Sequence, residues 1–394
     1  MISVDEALGR LFALCVPVGT ETVPLRRAAG RVLAAPVVAR LTQPPFAASA
    51  MDGYAIREAD HRAGAVLNVI GESAAGKGFS GIVGPGEAVR IFTGAPVPGG
   101  AERVVLQEDV ARSGDAITLG GRLEEGANIR AAGQDFSAGD RIEAPRLLTA
   151  TDLALIAAMN VAEVTVARRP VVALLATGNE LVMPGEAPGP DQIIASNSFA
   201  LAALAEAAGA EVRMLPIARD DAESLRFTLG LAEGADLIVT IGGASVGDHD
   251  LVGPVTEAMG MERSFYKIAM RPGKPLMAGR LGASALLGLP GNPVSSVVCG
   301  HIFMIPMLRA MQGLPPAPAP LRRARLARPV TANGPRAHYM RARVETAGDG
   351  PRITPFERQD SALLSVLAEA NALLVRPVGD AARLQGTEVD YIPL

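Results

Sequence analysis

The chain has no tryptophan, and aromatic residues make up only 4% of it. Faces on which bases could stack are therefore scarce, which argues against a single-strand nucleic-acid platform. A basic surface is missing too: Lys+Arg total 37 against Asp+Glu 41, for a net charge of −4. That balance excludes a general nucleic-acid binder. Two cysteines, Cys15 and Cys299, are too few for a disulfide framework or a zinc site. The four histidines (His61, His249, His301, His338) are scattered, with no His/Cys metal spacing. His301 lies on an apolar stretch and reads as a core histidine. Neither a Gly-x-Ser-x-Gly elbow nor a Walker-type loop occurs. Long apolar runs are also lacking. Residues 294–308 contain His301 and Pro306 and stop at Arg309, so they read as a buried helix and not a membrane span. The opening MISVDEALGRLF carries Asp5 and Glu6, unlike a signal peptide. A soluble cytoplasmic protein that meets neither membrane nor nucleic acid is the expectation.

What is present is core-forming material. Hydrophobic residues are 49% of 394, too much chain for one ordinary core, so about two to four domains are expected. Val4, Leu8, Leu11 and Leu14 recur at helical spacing, and residues 25–33 predict a second helical segment. From residue 36 to about 145, short apolar stretches alternate with Gly/Pro turns, the pattern of a compact β domain. Residues 149–159 predict a helix capped by Thr149 or Thr151, with Asp152 in its first turn. From residue 169 to about 313 strand and helix alternate, which predicts a mostly parallel sheet between helices, a three-layer α/β/α domain. Pro-rich residues 314–320 read as a stiff linker, and 321–394 as a small C-terminal β domain of barrel-like character. The multidomain α/β division is thus 1–45 with 142–168 (an N-terminal helical and linking unit), 46–141, 169–313 and 314–394.

Polar motifs follow the predicted strands of the α/β domain. Thr177-Gly178-Asn179-Glu180 follows one. Gly242, Gly243, Ser245, Gly247, Asp248 and Asp250 follow the apolar run Leu237–Ile241. Arg271-Pro272-Gly273-Lys274-Pro275 and Pro290-Gly291-Asn292 follow two more. Parallel strands would bring all four loops to one carboxyl edge, where open α/β sheets bind ligands. Glycines let backbone N–H groups approach a phosphate, and the neighbouring acids call for a cation between. Asp248 and Asp250 lie on one side of an extended loop and could hold Mg2+, although Asp250 could equally cap the helix that follows. Glu180 could be a third carboxylate or simply solvated. Arg271 and Lys274, stiffened by prolines, make a preorganised anion site. The Thr93 hydroxyl sits in a turn-rich loop and could touch a ligand.

Taken together, PPFAASAMDGYA (44–55), TGAPVP (93–98), AGQDF (132–136), TGNEL (177–181), IGGASVGDHD (241–250), MRPGKP (270–275) and LPGNPVS (289–295) resemble the molybdopterin molybdenumtransferase family, that of MoeA and the gephyrin E domain. The resemblance implies a homodimer with active sites between subunits. It implies that adenylylated molybdopterin and molybdate react, with Mg2+, to give molybdenum cofactor and AMP. On the matching positions, Asp52, Thr93 and Asp135 would reach the partner's site. Glu180, Asp248 and Asp250 would be the acidic positions, and Lys267, Arg271, Lys274, Pro275 and Ser295 the anion-binding side. Arg341 and Ser361 would lie near molybdate. Catalytic roles would fall to Asp52, Glu180, Asp250, Lys267 and Arg271. A molybdopterin adenylyltransferase or an acceptor molybdoenzyme would be transient partners. The chain departs from the family pattern at Ala47-Ala48, Gln134 and Arg271, where Asp-Asn, Glu and Lys are usual. Those departures motivate an alternative, a non-catalytic paralogue that carries cofactor to a molybdoenzyme. A structural scaffold ranks third.

Overall fold

The computed structural model describes residues 1–243, 251–348 and 350–394. The helix Val4–Leu14 starts at Ser3, whose hydroxyl accepts the Glu6 N–H at 3.1 Å. Its apolar side (Ala7, Leu8, Leu11) buries in the core of the α/β domain, far along the chain. The chain then builds a four-stranded sheet in which Thr20–Pro24 runs antiparallel to Glu163–Ala167. The predicted helical segment at 25–33 is instead a single 3-10 turn, Leu25–Arg27, and a short strand, Val32–Leu33. Gly30 at φ 70° breaks any helix there, and Leu33 enters a small separate core with Val23, Ile156 and Val166. The helix Ala150–Ala158 opens with the expected cap: Thr149 and Asp152 exchange side-chain and backbone hydrogen bonds in a capping box.

Between these elements a six-stranded sheet closes over two apolar clusters, one around Tyr54, Leu67 and Ile117 and one around Ala55, Val89 and Val104. Arg103 secures its end: two guanidinium nitrogens clasp Glu58, and Nη1 donates to the carbonyls of Glu124, Glu125 and Gly126.

The third unit carries the site. Glu211–Met214, Val171–Ala176, Leu237–Ile241 and Ser284–Leu289 lie side by side and parallel. Met277–Leu281 runs against them, and the edge strand Glu262–Tyr266 turns back to the common direction. Both sheet faces are buried, as continuous apolar strands require. Val172, Leu174, Val239 and Leu287 face one helical layer, and Ala173, Leu175, Ile238 and Leu286 the other. The helix spanning Pro293 to Met311 is long and apolar enough to cross a membrane, but 83% of its apolar window is buried inside the protein. It takes a π-helical turn at Gly300–Met304. Pro306 lacks an N–H, and its ring crowds the carbonyl four residues back, so a wider turn ahead of it is expected. At the C-terminal end five strands close into a barrel, since Ala337–Ala347 pairs with both Gly350–Pro355 and Ala372–Arg376. Met270–Arg271 joins that barrel from the α/β domain, parallel to Ala337–Ala347.

Candidate active site

Three parallel strands end in register: Ala176 pairs with Ile241, and Ile241 with Leu289. Their loops therefore begin on one level, tied by Thr177 N–H to Ile241 O and Gly242 N–H to Leu289 O, each 3.0 Å. Glycine is required at two points there. A Cβ on Gly242 (φ 94°) would lie 2.9 Å from the Thr177 carbonyl oxygen, and one on Gly243 (φ 62°) would lie 2.4 Å from Val252 Cγ2. The edge is thus stripped of side chains, leaving a cleft of about 620 Å³.

Thr177, Gly178, Glu180, Gly242, Gly243, Pro290, Gly291 and Asn292 line this cleft, as strand-end reasoning expected. Thr177 is 8% exposed, and its hydroxyl oxygen is buried without a hydrogen-bond partner among the described residues. A buried hydroxyl left so is costly unless a ligand pairs with it. The Glu180 carboxylate folds over Gly178, within 2.3 Å of where a Cβ there would be. Pro275 joins the wall from the Arg271–Lys274 loop, and Ala362, next to Ser361, from the C-terminal domain. Ser361 itself accepts the Val294 N–H at 3.1 Å, which seats its loop on the start of the long helix.

Sequence reasoning missed part of the wall. Asn197, at the start of the helix Asn197–Ala207, donates from Nδ2 to Gly291 O at 2.7 Å. Asp220 accepts the Asn179 N–H and donates its own N–H to Asn179 Oδ1. Single polar residues at helix starts and turns carry no motif, so only their placement reveals them.

The residues expected to hold molybdate divide. Ser295 is buried and Lys274 exposed near the cleft. Lys267 is half-buried with φ 68°, its ammonium 4.9 Å from the Tyr266 ring centroid. Arg341 is only 1% exposed, and its guanidinium is occupied: it donates to Gln359 Oε1 at 3.2 Å and to Asp360 O at 2.6 Å. Arg271 lines a separate cavity against the C-terminal barrel. Asp52 and Thr93 sit together on the inserted β domain, where Thr93 donates its N–H and its hydroxyl to Asp52 Oδ1, each at 2.7 Å. Those bonds hold the Asp52 carboxyl below the usual range. Asp52, Thr93 and Asp135 do not line this cleft. Ser245, Gly247, Asp248 and Asp250 lie outside the described residues. Among the described residues, no three His, Cys, Asp or Glu side chains gather as a metal site.

Comparison with known proteins follows this architecture. Residues 2–160 match the MoeA N-terminal region (domain I and II), 173–310 a probable molybdopterin binding domain, and 323–394 the MoeA C-terminal region (domain IV). Fold, cleft and matches define a molybdopterin-binding protein of molybdenum cofactor biosynthesis. A molybdopterin molybdenumtransferase 2 of Mycobacterium tuberculosis is 36% identical over 99% of this chain and 98% of its own. A molybdopterin molybdenumtransferase of a Nostoc species is 35% identical over 95% and 89%. A solved MoeA protein of Pyrococcus horikoshii superposes with a TM-score of 0.86 at 28% identity, covering 100% of both chains. The chain belongs to the molybdopterin molybdenumtransferase family, which are transferases.

Proposed function

We propose that the chain inserts molybdenum into adenylylated molybdopterin, taking it from molybdate and releasing AMP. The observation that carries this reading is the buried Thr177 hydroxyl, without a partner among the described residues, set in a glycine-bared strand edge. Such an edge suits a phosphate-bearing pterin. The backbone at Gly242, Gly243 and Gly291 admits the phosphates closely, and Thr177 pairs with one of their oxygens. Pro275 and Ala362 line the cleft, and Lys274, Ser295 and Ser361, their near neighbours in sequence or through Val294, would be the residues that take molybdate. An oxygen of molybdate bonds to the adenylyl phosphorus as the phosphoanhydride bond to the molybdopterin phosphate breaks; that oxygen leaves molybdenum with AMP, and dithiolene sulfurs take its place, or else water attacks phosphorus and the displaced molybdate oxygen leaves as water. The protein supplies no nucleophile; position and charge carry the rate.

Mg2+ belongs to this reading. Glu180 presents a carboxylate without a cationic partner among the described residues, a donor that fits a hard, oxygen-seeking ion. Asp248 and Asp250 would complete its ligands, and the ion would neutralise phosphate charge. The homodimer belongs here also, because Asp52, Thr93 and Asp135 would complete the partner subunit's cleft. A cytoplasmic enzyme that meets its adenylyltransferase and acceptor enzymes transiently is the corresponding cellular picture.

The assay is AMP release from adenylylated molybdopterin. Molybdate-dependent release supports the proposal, and its absence from active-folded protein sinks it. Thr177→Val sharpens the result: at least about tenfold weaker substrate binding is expected, with stability unchanged or slightly raised, because no hydrogen bond among the described residues is lost. The second reading, a carrier, is favoured by Ala47 and Gln134, which remove two family carboxylates from the loops around Asp52 and Asp135. Tight cofactor binding without AMP release would select it.

A further inference from the structure

Lysine is nearly absent from this chain. Of 37 Lys+Arg only Lys77, Lys267 and Lys274 are lysine, and two of the three lie in the loop that joins Glu262–Tyr266 to Met277–Leu281. Elsewhere, position 271 included, side-chain positive charge is supplied as arginine. A guanidinium is a rigid fork, whereas an ammonium is a compact charge on a flexible stem. Such a stem aims nothing by itself, so the direction of Lys267 is set by its backbone. That backbone is left-handed, at φ 68°, which a residue with a Cβ holds only where its surroundings over-determine it.

The surroundings do so, and their outermost member is Ile2. Lys267 donates its N–H to Leu276 O at 2.9 Å, and Ile268 donates to Lys274 O at 3.1 Å, which continues the pairing of the two strands into the loop. On the other side Ile2 lies parallel to Ile268. Its N–H donates to Lys267 O at 3.3 Å, and its carbonyl accepts from the Ala269 N–H at 2.8 Å. Residue 2 is thus the outer ply, 267–269 the middle one and 274–276 the inner one, where Pro275 meets the cleft. Ile2 has a fixed mount. Ser3 caps the helix Val4–Leu14, Arg10 Nη1 donates to Ser264 O at 2.8 Å, and Arg280 Nη2 donates to Leu14 O at 2.7 Å. One helix is therefore tied to both strands that frame the loop, through Ser264 on one and Arg280 on the other.

We infer that Ile2 is a positioning residue for the transfer reaction. Through its two backbone bonds it holds Lys267 left-handed and so fixes where the ammonium points, and it steadies the Lys274–Leu276 stretch that carries Pro275. This deepens the insertase reading and rests on it for the use made of Lys267. The bonds are backbone ones, so the identity of residue 2 matters most where it removes an N–H, as proline does.

The test compares Ile2→Pro, which lacks the N–H, with Ile2→Val, which keeps it, and with Leu8→Ala, which loosens the same helix in the core while sparing both bonds. Acetic anhydride labelling of the full chain, read by peptide mass spectrometry, reports Lys267 against the exposed Lys77 as internal standard. A change of at least about threefold in the Lys267-to-Lys77 ratio is expected in Ile2→Pro alone, since acylation follows how the amine is presented. In AMP release the same variant should raise KM for molybdate at least about tenfold while kcat moves by less than about twofold, as for loss of a held charge. Ile2→Val should match the wild type in both. Leu8→Ala should be the less stable to urea, so an effect that merely tracked stability would be larger there. An unaltered Lys267 ratio in Ile2→Pro, an equal alteration in Leu8→Ala, or an unchanged molybdate KM overturns the inference. Absence of AMP release from the wild type instead sinks the insertase reading, and the labelling ratio then decides the inference by itself.

Discussion

His338 stands among arginines with its imidazole turned into protein. Burial first, then the charges of Arg271, Arg341, Arg376 and Arg336, push its pKa down to about 3 from an ordinary 6.5. The folded protein therefore leaves His338 unprotonated where the unfolded chain would take up a proton. Its contribution to stability is whole above about pH 6.5 and shrinks as pH falls from there toward 3, by up to about 1.4 kcal/mol per pH unit. Urea unfolding of the wild type and His338→Gln should differ more at about pH 7 than at about pH 5 in the wild type's favour. An identical pH slope in both proteins would show that His338 is not held neutral. At this scale little was legible beforehand. Glycines 242, 243 and 291 announced a bare strand edge by type, but an isolated His or Asn such as Asn333 has meaning only once folding supplies its neighbours. Arg341, named for molybdate only through the family resemblance, has its guanidinium bound to the loop at 358–360, a contact that only folding reveals.

Among elements, the parallel strands were the easiest to foresee. Val171–Ala176, Leu237–Ile241 and Ser284–Leu289 are apolar throughout, because both sheet faces are covered. The reversed strand Met277–Leu281 was not, since Gly279 and Arg280 interrupt its pattern. Gly279 is there because a Cβ would come within 2.5 Å of the Glu262 carbonyl on the neighbouring strand. Residues 25–33 misled for the opposite reason, having helical apolar spacing without a helix. Coupling between elements at the cleft runs through Asn197. Its bond to Gly291 O joins a helix start to the loop after the last parallel strand. Asn197→Ala should cost about 1 kcal/mol of stability. It should raise KM for the pterin substrate more than it lowers kcat, since it disturbs a wall and no reacting group. Unchanged kinetics would mean that the Gly291 loop is held well enough by its own backbone.

For the whole molecule, the α/β unit with its parallel strands and the C-terminal barrel follow β-type and βαβ-type sequence, while sharing of a site between subunits is what the family resemblance implies. Asp52 and Thr93 are locked together on a domain that does not line the cleft. If two subunits share each site, Asp52→Ala and Glu180→Gln should each be inactive alone. Mixed after partial dissociation, they should recover about a quarter of wild-type activity, because one of the two sites in each mixed dimer is intact. No recovery, with mixed dimers verified by size and mass, would place both residues in one subunit's chemistry.

The first helix of the chain sits in the third domain. Leu8 and Leu11 pack with Leu289, Phe303 and Met307, and Ile2 exchanges hydrogen bonds with Lys267 and Ala269. Synthesis therefore makes this piece early and its socket about two hundred and fifty residues later, so it must wait while two other domains form. Until it arrives, an apolar groove on the α/β domain is open to water and to other chains. That is the stage at which a slowed or truncated nascent chain would be captured by chaperones or aggregate. The last event in forming the α/β core would then be docking of the first helix, with Ile2 settling beside the segment 267–269 that leads to Arg271.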